Sequence, residues 1–282
     1  MKKKTVKSKQ KTAPLTIVAA PVVAGLNKLD IVFATHKNNV LNMYCTAGYP
    51  HLHSTPAVML ALQESGANII ELGVPYSDPI ADGEVIQQSN MRALQNGISI
   101  ASIFEQLHAV KKELVIPVVL MGYLNPVMQY GLEQFCKDAS AAGVSGIILP
   151  DLPMQEFETI YQPLFQKYGL YFIFLISPKT SEARIRQADR LSQGFLYAVS
   201  SSATTGGDTN FDSQEAYFKK IKNMKLKNPV LIGFGIRDKA SFDKANKYAA
   251  GGIIGSAYIK ALEHADNIAA TTAEFIRGIK TL

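Results

Sequence analysis

The sequence predicts an α/β protein built as a single (β/α)8 TIM barrel. The first indication is a rhythm that repeats from residue 40 onward: a short apolar run, a loop rich in Gly, Pro or Ser, and then an amphipathic stretch. The second is that the apolar runs lack strict alternation of apolar and polar residues, which is typical of parallel strands buried on both faces. The third is the count, because eight such repeats fit within the 282 residues.

The predicted elements follow one another without a linker. In chain order, the eight predicted strands are VLNMYCT (40–46), ANIIELGVP (67–75), VIPVVLMGY (115–123), SGIILPDLP (145–153), LYFIFLIS (170–177), GFLYAVSS (194–201), PVLIGFGI (229–236) and GGIIGSAY (251–258). Helical patterns separate them, among them TPAVMLALQESGA, GLEQFCKDASAAG, EFETIYQPLFQKYG and SEARIRQADRLSQG. Several of these stretches end in Gly, which is a helix C-terminal signal.

Two further features complete the predicted architecture. A helix over about residues 27–36, NKLDIVFATH, would close the N-terminal end of the barrel, and we expect short extra helices in the βα loops. The alternative is a doubly wound open sheet, although no GxGxxG motif follows the first strand.

Positive charge is concentrated at the N-terminus. The formal net charge is +6, and six lysines without an intervening acid occupy the first eleven positions. The rest of the chain is therefore formally neutral, and no basic face for nucleic acid is implied. We predict a disordered extension over residues 1–25 and one catalytic domain over 26–282. No apolar run reaches the roughly 18 residues of a membrane span.

Cysteines and histidines give no metal signature. Cys45 and Cys136 are isolated and no CxxC motif is present, so neither a disulfide framework nor a zinc site is predicted. His51 and His53 are two residues apart in a loop and more typical of solvated side chains. A reducing, cytoplasmic location fits this pattern best.

Three carboxylates mark the second predicted strand and its loop, in the stretch ELGVPYSDPIADG. Active sites of such barrels lie at the C-terminal ends of the strands. Glu71 closes an apolar run there, where partial desolvation would raise its pKa and suit it to general acid work. The alternative for Glu71 is a buried acid paired with a base. Asp78 and Asp82 follow in the loop, and turn capping is the alternative for both.

Two other site types are less well supported. A metal cage would need more oxygen or imidazole ligands than these acids supply. Glycoside hydrolysis also uses paired carboxylates, but a phosphate-binding corner is not expected there.

Small residues after the last three predicted strands indicate a phosphate-binding site at one corner of the barrel mouth. They are Thr205–Gly206, Gly233–Phe234–Gly235 and Gly255–Ser256. Glycines let backbone N–H groups approach a ligand closely, and a helix N-terminus favours an anion. Ordinary turn glycines are the alternative for each set alone, whereas the three together favour phosphate.

The motifs resemble the tryptophan synthase alpha subunit family. The family signature is close to LELGxPFSDPxADGPxIQ, and IELGVPYSDPIADGEVIQ matches it at nearly every position. The likeness runs from about Asn39 to Leu282 and includes YCTAGYP, MGYLNPVMQYG, PDLP, YAVSSSATTG, GFGI and GSAYIK. A related phosphate-binding barrel, such as indole-3-glycerol phosphate synthase, would lack SDPxADG.

The resemblance implies a lyase of tryptophan biosynthesis. The implied reaction is retro-aldol cleavage of indole-3-glycerol phosphate to indole and glyceraldehyde 3-phosphate. Glu71 matches the acid that protonates indole C3, Asp82 matches the carboxylate that pairs with the indole N–H, and Tyr197 matches a tyrosine that supports the acid. The implied phosphate-binding residues are Thr205, Gly206, Gly235, Gly255 and Ser256, and the implied indole pocket is Tyr44, Met121, Tyr123, Leu175 and Phe234.

The same resemblance implies a partner and no cofactor in this chain. Family members work in an alpha2-beta2 complex with a beta subunit that holds pyridoxal phosphate and receives indole through a tunnel. The positions that match the family's interface are Asp78, Pro79, Asn125, Pro126 and Pro153, with loop structure as their alternative. A catalytically idle activator of a beta subunit and a stand-alone lyase that releases indole remain alternatives. The joint presence of Glu71, Asp82 and Tyr197 argues against the first, and the sequence does not separate the second from the leading hypothesis.

Overall fold

A computed structural model describes residues 26–199, 214–233 and 235–280. Nine strands lie within these residues, all parallel to their neighbours. They are β1 (Val40–Thr46), β2 (Ile69–Gly73), β3 (Val118–Met121), β4 (Gly146–Ile148), β5 (Tyr171–Phe172), β6 (Leu175–Ile176), β7 (Leu196–Val199), β8 (Val230–Gly233) and β9 (Gly251–Ile254). Every residue of β1, β2, β3 and β9 is buried, as expected for strands covered on both faces.

The strand order is β5-β4-β3-β2-β1-β9-β8-β7-β6, and the barrel closes through one interrupted strand. β5 pairs with β4 and β6 pairs with β7, and both belong to the single predicted strand 170–177. Between them, the Ile173 N–H donates to the Ile147 carbonyl and the Phe174 carbonyl accepts from the Tyr197 N–H. The chain therefore passes from one edge of the sheet to the other without a gap. The predicted barrel of eight strands is confirmed, with the fifth strand divided in two.

Helices cover the outside of the barrel and occupy its loops. The α-helices are α1 (Lys28–Thr35), α2 (Thr55–Glu64), α3 (Glu84–Gln95), α4 (Ile100–Val110), α5 (Leu124–Tyr130), α6 (Leu132–Ala141), α7 (Met154–Glu156), α8 (Gln162–Lys167), α9 (Glu182–Leu191), α10 (Glu215–Asn223), α11 (Lys239–Asn246), α12 (Ser256–Leu262) and α13 (Ile268–Ile279). The short α5 and α12 are the extra loop helices that we expected. A π-helical turn, Phe157–Tyr161, joins α7 to α8 and was not expected from the sequence.

The predicted N-terminal helix is present as α1. The Asn27 side chain accepts from the Leu29 N–H at the helix start, and its Nδ2 donates to the Ser145 carbonyl just before β4. Leu29 is fully buried against the beginnings of two strands, where Gly146 and Gly194 leave room for it. A Cβ at Gly194 would lie 2.9 Å from Leu29 Cδ1. The helix therefore covers the N-terminal end of the barrel.

Leu29→Ala is expected to lower the free energy of unfolding by about 3 kcal/mol, because the truncation leaves a cavity under α1. Urea denaturation followed by circular dichroism measures the change. Leu26→Ala is the matched control, since Leu26 is 54% exposed, and its effect should stay within about 0.5 kcal/mol. Equal effects of the two substitutions would contradict the role of Leu29.

No helix within the described residues is long and apolar enough to cross a membrane. The extension predicted over residues 1–25 lies outside these residues, so the domain boundary at residue 26 stays a prediction.

Candidate active site

Glu71 lies in the middle of β2, where its neighbours in strand register are Tyr44 on β1 and Val119 on β3. It is only 1% exposed. Asn42 of β1 donates from Nδ2 to Glu71 Oε2 at 2.8 Å. Among the described residues, no lysine, arginine or histidine forms an ion pair with this carboxyl group. The basic partner that a purely structural buried acid would need is thus missing from the described chain.

Burial raises the pKa of the Glu71 carboxyl from 4.5 to about 8. The hydrogen bond from Asn42 opposes this shift because it favours the charged form, and the nearby charge of Asp82 adds to it. At neutral pH, Glu71 is therefore a protonated acid that faces the inside of the barrel mouth.

Asp82 lies in the loop between β2 and α3 and is partly buried. Its Oδ2 accepts from Asn90 Nδ2 at 3.0 Å, and the Tyr123 hydroxyl also hydrogen-bonds the carboxylate. Burial raises the pKa of Asp82 from 3.8 to about 6, while the bonds from Tyr123 and Asn90 oppose the shift. Asp82 is consequently ionised at neutral pH, in contrast to Glu71.

Hydrogen bonds anchor the Asp82 end of the loop and the start of α3. Tyr123 also accepts from the Ala81 N–H through its hydroxyl at 3.0 Å, and Gln87 Nε2 of α3 donates to the Asp82 carbonyl at 2.8 Å. On the barrel side, Thr46 Oγ1 of β1 hydrogen-bonds Ser89 Oγ of α3 at 2.7 Å. These bonds hold the Asp82 carboxylate toward the barrel mouth.

Two tyrosine rings lie over glycines of neighbouring strands. Tyr44 covers Gly73 and Tyr197 covers Gly233, and a Cβ on either glycine would overlap the ring. Tyr197 is buried on β7, in register with Leu175 of β6. Burial raises the pKa of the Tyr197 hydroxyl well above 10, and the charges of Glu71 and Asp82 contribute in the same direction. Tyr197 is therefore a neutral hydroxyl near both acids.

These groups surround one cleft, which together with its open mouth measures about 520 Å³. Its lining is mostly apolar and contains both acids. The lining residues are Tyr44, Glu71, Asp82, Ile86, Met121, Tyr197, Gly235, Ile236, Ile253, Gly255 and Ser256. An apolar cleft with few polar groups is typical of small-molecule sites at this end of a barrel.

One corner of the cleft carries the small residues predicted to bind phosphate. Gly235 follows β8 with a φ of +77°, a conformation that favours glycine. Gly255 precedes α12 and Ser256 begins it, and all three line the cleft. Thr205 and Gly206, the other two predicted phosphate-binding residues, lie outside the described residues.

The predicted indole pocket is brought together in part. Tyr44 and Met121 line the cleft. Tyr123 is buried but is engaged with the Asp82 loop and does not line the cleft, and Leu175 lies beside Tyr197 in register without lining it. Phe234 lies outside the described residues.

The five predicted interface positions follow β2, β3 and β4 at the same end of the barrel, with Asn125 and Pro126 in the first turn of α5 and the other three in loops. Asp78, Asn125 and Pro153 are exposed, and Pro79 and Pro126 are partly buried. The Ser77 hydroxyl donates to the Asp78 carboxylate, a local contact between side chains of the loop.

Sequence reasoning missed several residues of the site. Asn42 and Asn90, the amides that contact the two acids, were not singled out, and neither were Ile86, Ile236 and Ile253 of the cleft lining. An asparagine inside the apolar run VLNMYCT was the available signal for Asn42. Among the described residues, no group of three or more His, Cys, Asp or Glu side chains is placed to hold a metal ion.

Comparison with known proteins agrees with the motifs. The family model described as tryptophan synthase alpha chain matches residues 33–281. The tryptophan synthase alpha chain of Christiangramia forsetii is 44% identical over 246 residues, covering 87% of this chain and 95% of that protein. The corresponding chain of Flavobacterium johnsoniae is 47% identical over 224 residues, covering 79% and 88%.

Solved structures agree with the fold. The tryptophan synthase subunit alpha of Legionella pneumophila has a TM-score of 0.82 at 33% identity and covers 90% of this chain and 97% of that chain. A chain of the tryptophan synthase complex from Pyrococcus furiosus has a TM-score of 0.79 at 32% identity, with coverage of 88% and 100%. With the family model matching nearly nine tenths of its length, the chain belongs to the tryptophan synthase alpha chain family.

Proposed function

We propose that the cleft cleaves indole-3-glycerol phosphate to indole and glyceraldehyde 3-phosphate, with Glu71 and Asp82 as the catalytic pair. The observation that carries this assignment is the contrast between the two acids at one apolar cleft. Glu71 is fully buried with a pKa of about 8, whereas Asp82 is partly exposed with a pKa of about 6. Two acids whose environments separate their pKa values are suited to opposite roles.

In the first step, neutral Glu71 donates its proton to C3 of the indole ring. The pair of electrons that forms the new C–H bond comes from the C2–C3 double bond, which leaves positive charge on the ring nitrogen. Ionised Asp82 accepts a hydrogen bond from that N–H and stabilises the charge as it develops. The weakly polar lining of the cleft strengthens this attraction because little water screens it.

In the second step, the bond between indole C3 and the glycerol carbon breaks. Its electrons return to the ring and restore the C2–C3 double bond, while the glycerol hydroxyl loses its proton and becomes the aldehyde of glyceraldehyde 3-phosphate. Glu71, now a carboxylate, is the base available to take that proton, which restores the acid. Atoms and charge balance without any further reactant.

The remaining predicted site residues position the substrate in this proposal. Tyr197 supports Glu71, and Gly235, Gly255 and Ser256 bind the phosphate together with Thr205 and Gly206. Tyr44 and Met121 contact the indole ring, assisted by Tyr123, Leu175 and Phe234. The phosphate anchors one end of the substrate and the apolar lining holds the other, so that C3 lies at Glu71.

The proposal includes a partner of the same pathway. The relative from Pyrococcus furiosus is described as a tryptophan synthase complex. By extension, this chain binds a beta subunit through the face that carries Asp78, Pro79, Asn125, Pro126 and Pro153, in an alpha2-beta2 assembly. Pyridoxal phosphate belongs to that partner, and this chain needs no cofactor of its own. The assembly is cytoplasmic, and residues 26–282 form its single catalytic alpha domain.

Indole formation from indole-3-glycerol phosphate tests the proposal, with and without added beta subunit. We expect kcat/KM to pass through a maximum between about pH 6 and pH 8. Below about pH 6, protonation of Asp82 removes the negative charge, and above about pH 8, ionisation of Glu71 removes the proton to be donated.

Three outcomes distinguish the alternatives. If the isolated chain forms indole as fast as it does with added beta subunit, it is a stand-alone lyase. Formation that increases when the beta subunit is added supports the proposal. No indole under either condition leaves only an idle activator and removes the enzymatic assignment.

A further inference from the structure

Asn42 is a fully buried amide in the interior of the barrel, on β1. In strand register it lies beside Ile69 of β2 and Ile253 of β9. Glu71 is two residues beyond Ile69 on β2, so Asn42 occupies the layer of side chains directly below the acid. Branched apolar residues dominate such layers in TIM barrels, which makes an amide at this position unusual.

Only one of the two polar atoms of the Asn42 side chain has a hydrogen-bond partner. Its Nδ2 donates to Glu71 Oε2 at 2.8 Å, whereas its Oδ1 is buried without a hydrogen-bond partner. Buried polar groups are normally paired, and an unpaired acceptor is destabilising. Leucine has the same branching and would fill the space without an unpaired atom. Packing alone therefore does not account for Asn42, and its contact with Glu71 does.

We propose that Asn42 is a positioning residue that determines which oxygen of Glu71 carries the transferable proton, an inference that rests on the catalytic role proposed for Glu71. Because the Asn42 amide donates to Oε2, that oxygen must act as an acceptor in both protonation states. The proton of the neutral acid is thereby assigned to Oε1. The same bond fixes the rotation of the carboxyl group, so that Oε1 is presented in one orientation to the substrate.

The bond also affects the strength of the acid. An N–H donor stabilises a carboxylate more than a neutral carboxyl group, since the bond to the charged form is stronger. Asn42 therefore stabilises the carboxylate that Glu71 becomes after proton transfer. Without this donor, Glu71 would hold its proton more tightly and would be a poorer acid toward C3.

Other titratable groups lie close enough to Glu71 to interact with its charge. They are Tyr44 and Cys45 on β1, Asp82 on the loop after β2, and Tyr197 on β7. All of them are retained when Asn42 is replaced. A difference between parent and variant in the titration of Glu71 therefore reports the amide.

The test is a titration that does not depend on turnover. The full chain is labelled with carbon-13 at the glutamate carboxyl, and the Glu71 resonance is identified by its loss in Glu71→Gln. In Asn42→Leu, we expect the apparent pKa of Glu71 to rise by about one unit, which is the shift given by loss of one hydrogen bond to a charged group. Asn42→Val, which also lacks the donor, serves if the leucine variant does not fold.

Ile69→Val is the matched control, because it removes one methyl group from the same layer without touching the Glu71 hydrogen bond. Its Glu71 resonance should titrate as in the parent. The alkaline limb of kcat/KM should move to higher pH in Asn42→Leu, with a lower maximum, and should not move in Ile69→Val. A role in packing alone would lower activity in both variants without moving the limb.

Two results would overturn the inference. An unchanged Glu71 titration in Asn42→Leu would mean that the amide does not act on the acid. A fall in the Glu71 pKa would mean that the Asn42 amide accepts from the neutral acid through Oδ1, the reverse of the proposed polarity. If the parent makes no indole, the proposed function fails, whereas the titration still decides the effect of Asn42 on Glu71.

Discussion

Replacing Glu71 with glutamine is expected to lower kcat for indole formation by about 10³-fold or more, while indole-3-glycerol phosphate still binds. Glutamine has nearly the same shape and keeps an oxygen that accepts from Asn42, but it has no proton of suitable acidity to give to C3. The proton transfer is confined to the transition state, so the loss should appear in kcat far more than in KM. Single-turnover kinetics and equilibrium binding of the substrate separate the two quantities.

The pH dependence of stability provides the control for this variant. The ordinary pKa of a glutamate carboxyl, which applies to the unfolded chain, is 4.5, and burial in the folded chain raises the pKa of Glu71 to about 8. Between these values the unfolded chain releases a proton that the folded chain retains, so the free energy of unfolding of the parent falls as the pH rises. Glu71→Gln lacks this titration and should lack this component of the decline. Urea denaturation at several pH values measures it.

The combination decides between two roles of Glu71. A catalytic acid gives a folded variant with very low turnover and a flatter pH dependence of stability. Near-normal turnover in Glu71→Gln would instead mean that Glu71 is a structural residue of β2.

Most of the fold was predictable because each strand carries its own local signal. All eight apolar runs contain strand, and in every run except 40–46, which coincides with β1, the regular part is shorter than the run. The run 145–153, for example, contains only Gly146–Ile148 of β4. The remaining leucines of this run, Leu149 and Leu152, lie in the loop that follows and are themselves buried. Hydrophobicity reports burial, and burial extends beyond the hydrogen-bonded strand.

The interruption of the fifth strand was not predictable in the same way. LYFIFLIS is apolar without a break, yet β5 ends at Phe172 and β6 begins at Leu175. The cause is a long-range contact, since the Phe174 N–H donates to Ser192 Oγ instead of a neighbouring strand. Phe172 and Phe174 also pack against Phe157 of the π-helical turn. Neither contact has a signature within residues 170–177.

The residues of the site were likewise predictable only in part. Glu71 and Asp82 were recognisable because carboxylates interrupt an apolar run and a loop at the predicted catalytic end. Their partners were not, because Asn42 is 29 residues from Glu71 and Tyr123 is 41 residues from Asp82. Only the register of β1 with β2, and the approach of the β3 end to the Asp82 loop, bring these side chains together. Spacing within one segment carries no information about such pairs.

Asp82→Asn is expected to lower kcat/KM by about 10²- to 10³-fold, the usual effect of removing one electrostatic contact to a charged transition state. The substitution keeps the size of the side chain and an oxygen for Asn90 Nδ2, but it removes the negative charge that faces the indole nitrogen. It also removes the group with a pKa of about 6. The acid limb of the kcat/KM profile should therefore disappear, while the alkaline limb due to Glu71 remains. Initial rates of indole formation across the pH range measure both effects.

Glu84→Gln is the matched control for the loss of charge. Glu84 begins α3 two residues after Asp82, is exposed, and does not line the cleft. Its replacement removes one negative charge from the same loop region, where solvent and salt screen it, so kcat/KM should stay within about twofold of the parent. Similar losses of kcat/KM in the two variants would indicate that the total negative charge of this region, and not a specific contact of Asp82, stabilises the transition state. An acid limb that persists in Asp82→Asn would assign the pKa near 6 to another group and would remove Asp82 from the catalytic pair.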